Sequence, residues 1–204
     1  MDDRRPLTAA GLAADLLTAP PLLGATRLVC VDGPAGSGKT TLAGRLAAEL
    51  GAAAELVHMD DLYAGWTLTG AVARLEAGVL RPLAAGRPGA YHRFDWHAGR
   101  FAAEPVPVRP AQVLVVEGCG SAPRRLDPWT TLRVWVEAPG PLRLERGLAR
   151  DGAAMTDHWL RWLATEAAEF AREDTRRRAH LRVDGAPATP VPPGVFLPLP
   201  DTQR

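Results

Sequence analysis

The eight residues Gly33-Pro34-Ala35-Gly36-Ser37-Gly38-Lys39-Thr40 fit G-x-x-x-x-G-K-[ST] without a mismatch. A loop of this kind holds phosphate. Its glycines let successive backbone N–H groups turn inward, and the helix that follows adds the partial positive charge of its N-terminus. The candidate nucleotide-binding residues are therefore Gly33, Ala35, Gly36, Ser37, Gly38, Lys39, Thr40 and Thr41. Lys39 would reach the β- and γ-phosphates as a point charge, and it is the only lysine in the chain. Two carboxylate groups follow apolar runs further on: Asp60-Asp61 after Leu56–Met59, and Glu117 after Val113–Val116. Mg²⁺ takes hard oxygen ligands and keeps several waters, so Thr40, Glu117 and Asp60, directly or through water, are candidate metal ligands. Asp60 or Asp61 could accept the proton of an attacking hydroxyl, and Asp60 is preferred because it follows the apolar run directly. The competing reading of the pair is the cap of a following helix.

Arg143, Arg146 and Arg150 recur at i, i+3 and i+7, on one face of a helix. Arginines on a mobile lid stabilise the charge of a phosphoryl group in transfer; the competing reading is a solvated basic face. Tyr91, Phe94, Asp95, Trp96 and His97 set rings beside a carboxylate and an imidazole. Such a cluster could stack on a flat ring and hydrogen-bond to sugar hydroxyls, or be simple packing. Tyr63 and Trp66 could line the same pocket. His58, His158 and His180 have no metal-like spacing and read as structural or surface residues. Cys30 and Cys119 read as buried small hydrophobes.

Positioning these groups requires strands that end at one edge. Leu28–Val31 reads as a buried strand before the phosphate loop, and Leu42, Leu46 and Leu50 give the following helix its apolar face. Further strands are expected at 55–59, 113–116, 132–136 and 181–183. Helices are expected at 8–18 (capped by Thr8, with Leu12, Leu16 and Leu17 as its stripe), 68–85, 140–150 and 156–179. In the last, Trp159, Leu160, Trp162, Leu163, Ala167 and Phe170 form the apolar side. Residues 91–97 and 101–108 alternate and would pair as a small hairpin. Strands alternating with helices imply a parallel sheet, with ligands at the carboxyl ends of its strands.

The 204 residues suffice for a single α/β domain, with residues 1–24 as an N-terminal helical extension and 187–204 as a proline-rich tail, extended or laid over the surface. A formal net charge of +1 argues for neither nucleic acid nor membrane as a partner. The expected partner is a small-molecule substrate, homo-oligomerisation is left open, and the expected compartment is the cytoplasm.

Together, Gly33–Thr41, Asp60-Asp61-Leu62-Tyr63, the aromatic stretch 91–97, Val115-Val116-Glu117-Gly118 and Arg143–Asp151 resemble the uridine kinase/phosphoribulokinase group of P-loop small-molecule kinases. The resemblance covers about 27–185. It implies a three-layer α/β P-loop NTPase fold with a five-stranded parallel core sheet flanked by helices, a small hairpin at the substrate site and a short arginine lid. It also implies ATP and Mg²⁺, Asp60 as base, Glu117 near the metal, Arg146 and Arg150 on the phosphates, and the 185–189 loop beside the adenine. Asp61, Tyr63, Tyr91, Phe94, Asp95, Trp96 and His97 fall on the acceptor side; Arg143 fits a substrate-side arginine by spacing alone. The stretch Phe94-Asp95-Trp96-His97 departs from the Tyr-Asp-Phe block common in the family, and the lid is short. The expected reaction is phosphorylation of a primary hydroxyl on a small metabolite, a uridine- or cytidine-like nucleoside first. Alternatives are a nicotinamide-riboside, pantothenate-type or other non-nucleoside acceptor, or an NTP-binding switch module. The absence of N-K-x-D argues against a GTPase.

Overall fold

The computed structural model describes residues 5–199. The outer ends of the N-terminal extension and of the tail, 1–4 and 200–204, lie outside the described residues. The chain begins with β1 (Leu7–Thr8), α1 (Ala9–Thr18), β2 (Arg27–Asp32), α2 (Lys39–Leu50) and β3 (Ala54–His58). Next come α3 (Ala71–Leu75), a π-helical stretch (Glu76–Leu80), α4 (Arg81–Ala84) and the strands β4 (Gly89–Asp95) and β5 (Arg100–Val108). They are followed by β6 (Val113–Glu117), β7 (Thr130–Glu137), α5 (Gly140–Asp151) and α6 (Thr156–Glu173). The described chain closes with α7 (Thr175–Arg178), β8 (Leu181–Asp184) and β9 (Val195–Pro198).

The main sheet runs β1-β9-β8-β7-β2-β6-β3. From β8 to β3 all pairings are parallel, which makes the expected five-stranded core. Two antiparallel strands extend it. One of them, β9, comes from the segment expected to be an extended or surface-laid tail. Proline has no N–H to give a ladder, so a proline-rich stretch is a poor strand signal. Here the prolines at 187–193 lead into the strand, and Val195-Phe196-Leu197-Pro198 carries the pairing.

The side chains of β2 alternate between two cores, as the period of two requires. Leu28 and Cys30 face α3, the π stretch, α4 and Trp162 of α6. Val29 and Val31 face Ala13 and Leu16 of α1 and Leu42, Ala43 and Leu46 of α2. The result is helix, sheet, helix. Thr8 caps α1 by accepting from the Gly11 N–H at 3.0 Å. The stripe of α1 is Ala9, Leu12, Ala13 and Leu16, and Leu17 points outward, contrary to expectation. The expected 68–85 helix starts later and takes up a π stretch at Gly78. There the π backbone meets the hairpin so closely that a Cβ on Gly89 would lie 2.5 Å from the Gly78 carbonyl oxygen. The expected 156–179 helix breaks at Asp174, whose φ is 53°. On α6, Leu160 is 50% exposed, Ala167 is exposed, and the polar Glu166 is buried in their place. No helix among the described residues is long and apolar enough to cross a membrane.

Candidate active site

Because the five core strands are parallel, β2, β6 and β3 end at one edge. Register places Glu117 beside both Val31 and His58. The phosphate loop leaves β2 there. Asp32, the last residue of β2, is buried, and its carboxylate accepts from the N–H groups of Gly33, Gly120 and Ala122 at 2.7–2.9 Å. Burial pushes its pKa up to about 6, against the pull of those three donors. Asp32 thus ties the start of the loop to the Gly118–Ala122 turn after β6. Gly38 stands at the helix N-cap with φ of 99°, a conformation that a side chain would strain.

Lys39 is 7% exposed. Its Nζ donates to the Pro34 carbonyl at 2.9 Å and lies 3.6 Å from the Cys119 sulfur. Burial opposes its charge, and Cys119, Glu117, Glu166 and Asp32 together favour it, so its pKa stays above the ordinary lysine value. The described residues place no carboxylate in direct salt-bridge contact with it. A buried ammonium with that gap in its coordination suits a phosphate. Thr40 Oγ1 donates to Glu117 Oε1 at 3.2 Å. This hydroxyl–carboxylate pair at the loop is the kind of sparse oxygen set that suits Mg²⁺, which takes its other ligands from water and phosphates. No group of three or more His, Cys, Asp and Glu among the described residues forms a protein-only metal cage.

A cleft of about 1080 Å³ runs over the loop. It joins Gly36, Gly38, Lys39, Thr40 and Thr41 to Asp60, Glu117, Arg146 and Arg150. Its far end is lined by Tyr63, Trp66, Trp96 and His97, and Gly185, Pro187 and Val191–Phe196 close the other side. Asp60 is exposed to the cleft, and its pKa is raised, first by partial desolvation from the protein around it and then by Glu117. Arg146 donates to the carbonyls of Gly36 at 3.1 Å and Gly185 at 3.2 Å, which ties α5 to the loop. Arg150 pairs with Asp151 at 2.7 Å and lies 5.8 Å over the Trp159 ring.

Several candidates stand back from the cleft. Asp61 accepts from Tyr91 Oη at 3.0 Å and pairs with Arg93 at 3.0 Å, so these groups fasten the hairpin to the β3 end. Phe94 packs edge-on against Trp96 and Phe101. Asp95 caps the hairpin turn by accepting from the N–H groups of His97 and Ala98. Arg143 is a correction. It does not line the cleft, and its guanidinium is committed to the Ala138 and Ala35 carbonyls and to Glu166 at 3.0 Å. The i, i+3, i+7 spacing placed it with Arg146 and Arg150, but the close approach of α5 to the loop turns it inward.

Glu166, 2% exposed, was not expected. It accepts from the Ala35 N–H at 2.8 Å, holds Arg143, and takes the Cys119 thiol at 3.2 Å. The one sequence signal was a glutamate at the position, seven after Trp159, where an apolar stripe would continue. His58 is not a free surface histidine: its Nδ1 lies 2.5 Å from Glu117 Oε1, and that contact raises its pKa. The thiol of Cys119 is buried as expected, and burial keeps it protonated, but it touches Lys39. His158 packs 5.5 Å from Trp66 at the cleft.

No protein-family model and no curated protein matches the chain. Solved structures do. One, described as a possible uridine kinase from Bacillus stearothermophilus, superposes with a TM-score of 0.61 at 20% identity, over 85% of this chain and 96% of that one. Another, a candidate fructose transport system kinase from Silicibacter sp. TM1040, gives 0.59 at 26% identity, over 81% and 95%. The fold is that of the P-loop kinases. The parallel core and phosphate loop read from the sequence belong to it, and β9 and β1 are additions to the five-stranded core.

Proposed function

We propose that this chain is an ATP- and Mg²⁺-dependent kinase that phosphorylates a primary hydroxyl of a small metabolite, a nucleoside first. One observation carries the reading: a single cleft joins the phosphate loop and Lys39 to a carboxylate, Asp60, at the end of β3, and continues into an aromatic end. The similarity to solved structures of a possible uridine kinase and a candidate fructose transport system kinase supports a small-molecule kinase.

On this reading the loop N–H groups and Lys39 hold the β- and γ-phosphates. Thr40 and Glu117, with Asp60 directly or through water, would hold Mg²⁺, which when bound neutralises charge on those phosphates. Asp60 takes the proton of the acceptor hydroxyl. That oxygen forms a bond to the γ-phosphorus as the bond from γ-phosphorus to the bridging oxygen breaks, and ADP leaves with the electron pair. Lys39, Arg146 and Arg150 offset the charge on the transferring group. His58 braces Glu117, and the Asp61–Tyr91 bond braces the acceptor wall.

The test is ADP release with ATP and Mg²⁺, with and without uridine, cytidine and other hydroxyl acceptors. Acceptor-dependent release that Lys39→Ala abolishes is the expected result. ATP binding without any acceptor-dependent release would replace this reading with an NTP-binding switch.

A further inference from the structure

Asp151 is the last residue of α5, where a negative charge opposes the helix dipole. Its carboxylate grips the residue before it. Oδ1 accepts from Arg150 Nε at 2.7 Å and Oδ2 from Arg150 Nη2 at 3.0 Å. Sequence neighbours do not face one another on a helix, so this fork has to be held in place. Trp159 of α6 holds it. Its Nε1 donates to Asp151 Oδ2 at 3.0 Å, and the Arg150 guanidinium lies 5.8 Å over its ring.

Trp159 has little freedom of its own. It is 1% exposed. A Cβ on Gly147 would lie 2.3 Å from the indole, so the ring meets the backbone of α5 directly. Gly147 and Asp151 are four apart, on one face of α5. One therefore receives the ring and the other its N–H. Trp159 also packs edge-on against Trp66 of the acceptor wall, with centroids 6.2 Å apart.

A guanidinium carries five N–H groups in a rigid fork, and Asp151 takes two of those on Arg150. The other three have no partner among the described residues, and Arg150 borders the cleft. Its charge also reaches Asp60, where it favours the carboxylate. Arg143 and Arg146 are anchored on carbonyls of the phosphate loop. Arg150 is anchored on a side chain that is itself anchored.

We propose that Asp151 and Trp159 are positioning residues for Arg150: the buried indole fixes the carboxylate, and the carboxylate fixes the guanidinium, leaving three N–H groups for the transferring phosphoryl group. This rests on the kinase reading for that group and goes beyond it by naming what sets the arginine. The lid arginine is thereby aligned before nucleotide arrives, from the same indole that backs the acceptor wall.

A double-mutant cycle tests it. Arg150→Ala removes the acting group. Trp159→Phe keeps a ring against Gly147 and deletes the N–H. Asp151→Asn changes an exposed residue, so it is not expected to threaten folding. Each of these two changes is expected to lower kcat about 10–100-fold, the scale of a misplaced catalytic group, while the KM for ATP holds. In an Arg150→Ala background they are expected to cost nothing further, because groups that act as a unit are not additive. Additive losses, or a raised KM with kcat unchanged, would overturn the proposal. Faster turnover of Asp151→Asn would also overturn it, since Asp151 would then restrain Arg150. The arginine acts on the γ-phosphoryl group whichever oxygen attacks, so the cycle is run on ATP hydrolysis without acceptor as well. Non-additive losses in hydrolysis with no acceptor-dependent release keep the positioning and sink the kinase; acceptor-dependent release with additive losses does the reverse. One readout needs no turnover. The Trp159 Nε1–H resonance, identified by its loss in Trp159→Phe, is expected to move with Mg²⁺ and a non-hydrolysable ATP analogue, not with Mg²⁺ and ADP. Arg150→Ala is expected to remove that response. No triphosphate-specific movement would overturn the proposal.

Discussion

Asp60 is open to the cleft, but the protein around its carboxyl displaces solvent and Glu117 lies near it, and both disfavour its charged form. A general base acts unprotonated. A pKa above the ordinary aspartate value therefore moves the acid limb of kcat/KM upward, towards neutral pH. We expect turnover to fall on acidification with a midpoint above the usual carboxylate range. Asp60→Asn should lose about 10²–10⁴-fold in kcat with an unchanged thermal midpoint. A pH profile flat down to the ordinary aspartate range would exclude Asp60 as the base. At this scale the legible part of the site was the part encoded locally. Gly33–Thr40 is one contiguous signature, and Asp60 and Glu117 each follow an apolar run. Glu166 and His58 were not legible because what defines them is distant: Ala35 lies 131 positions before Glu166, and Glu117 lies 59 after His58. Arg143 was misassigned for the complementary reason, since helical spacing specifies a face and not what that face meets.

Among the elements, α5, α6 and the phosphate loop are locked together by a buried pair. Arg143 of α5 and Glu166 of α6 both bind Ala35 of the loop, one through its carbonyl and the other through its N–H. Removing one partner of a buried ion pair leaves the other charge uncompensated, which costs about 3–5 kcal/mol. Glu166→Ala is expected to lose that much stability in urea unfolding. Arg143→Met with Glu166→Leu should lose less than the sum of the single changes, because no orphaned charge remains. Additive losses would show that the two groups act separately. A second element contact positions the acceptor wall. Gly78 of the π stretch lies against Ala90 of β4, with no room for a Cβ. Gly78→Ala should push the hairpin outward and raise the KM for the acceptor several-fold while the KM for ATP holds. Equal changes in both would mean that the hairpin does not serve the acceptor end. Neither contact is visible in periodicity. A glycine in a helix and a glutamate in an apolar stripe are the only traces that close approach leaves in the sequence.

At the scale of the whole molecule the sheet runs beyond the part that was legible. The five parallel strands announce themselves by apolar runs, but β9 depends on a pairing between the chain's two ends, with β1 on one side and β8 on the other. That pairing brings Val191–Phe196 over the cleft and makes the C-terminal segment part of the site's wall, with β1 bracing it from outside. Global stability also carries the mark of the site, through Asp32. Its carboxyl has a pKa of about 6 in the folded protein, against an ordinary value of 3.8. The folded state therefore binds the proton more tightly than the unfolded state. Stability from this group is fully present below about pH 4 and is lost as pH rises through 6, a change of about 3 kcal/mol. Other groups titrate over the same window, so the quantity to follow is the difference between wild type and Asp32→Asn, which cannot ionise. Urea unfolding at steps from pH 4 to 7 should show wild type losing about 3 kcal/mol relative to the variant as pH rises. The fixed cost of altered hydrogen bonding to Gly33, Gly120 and Ala122 drops out of that slope. A difference that stays flat would mean that Asp32 is ionised throughout, its three N–H donors outweighing burial; one that grows in wild type's favour would mean that those donors hold its pKa below the ordinary value.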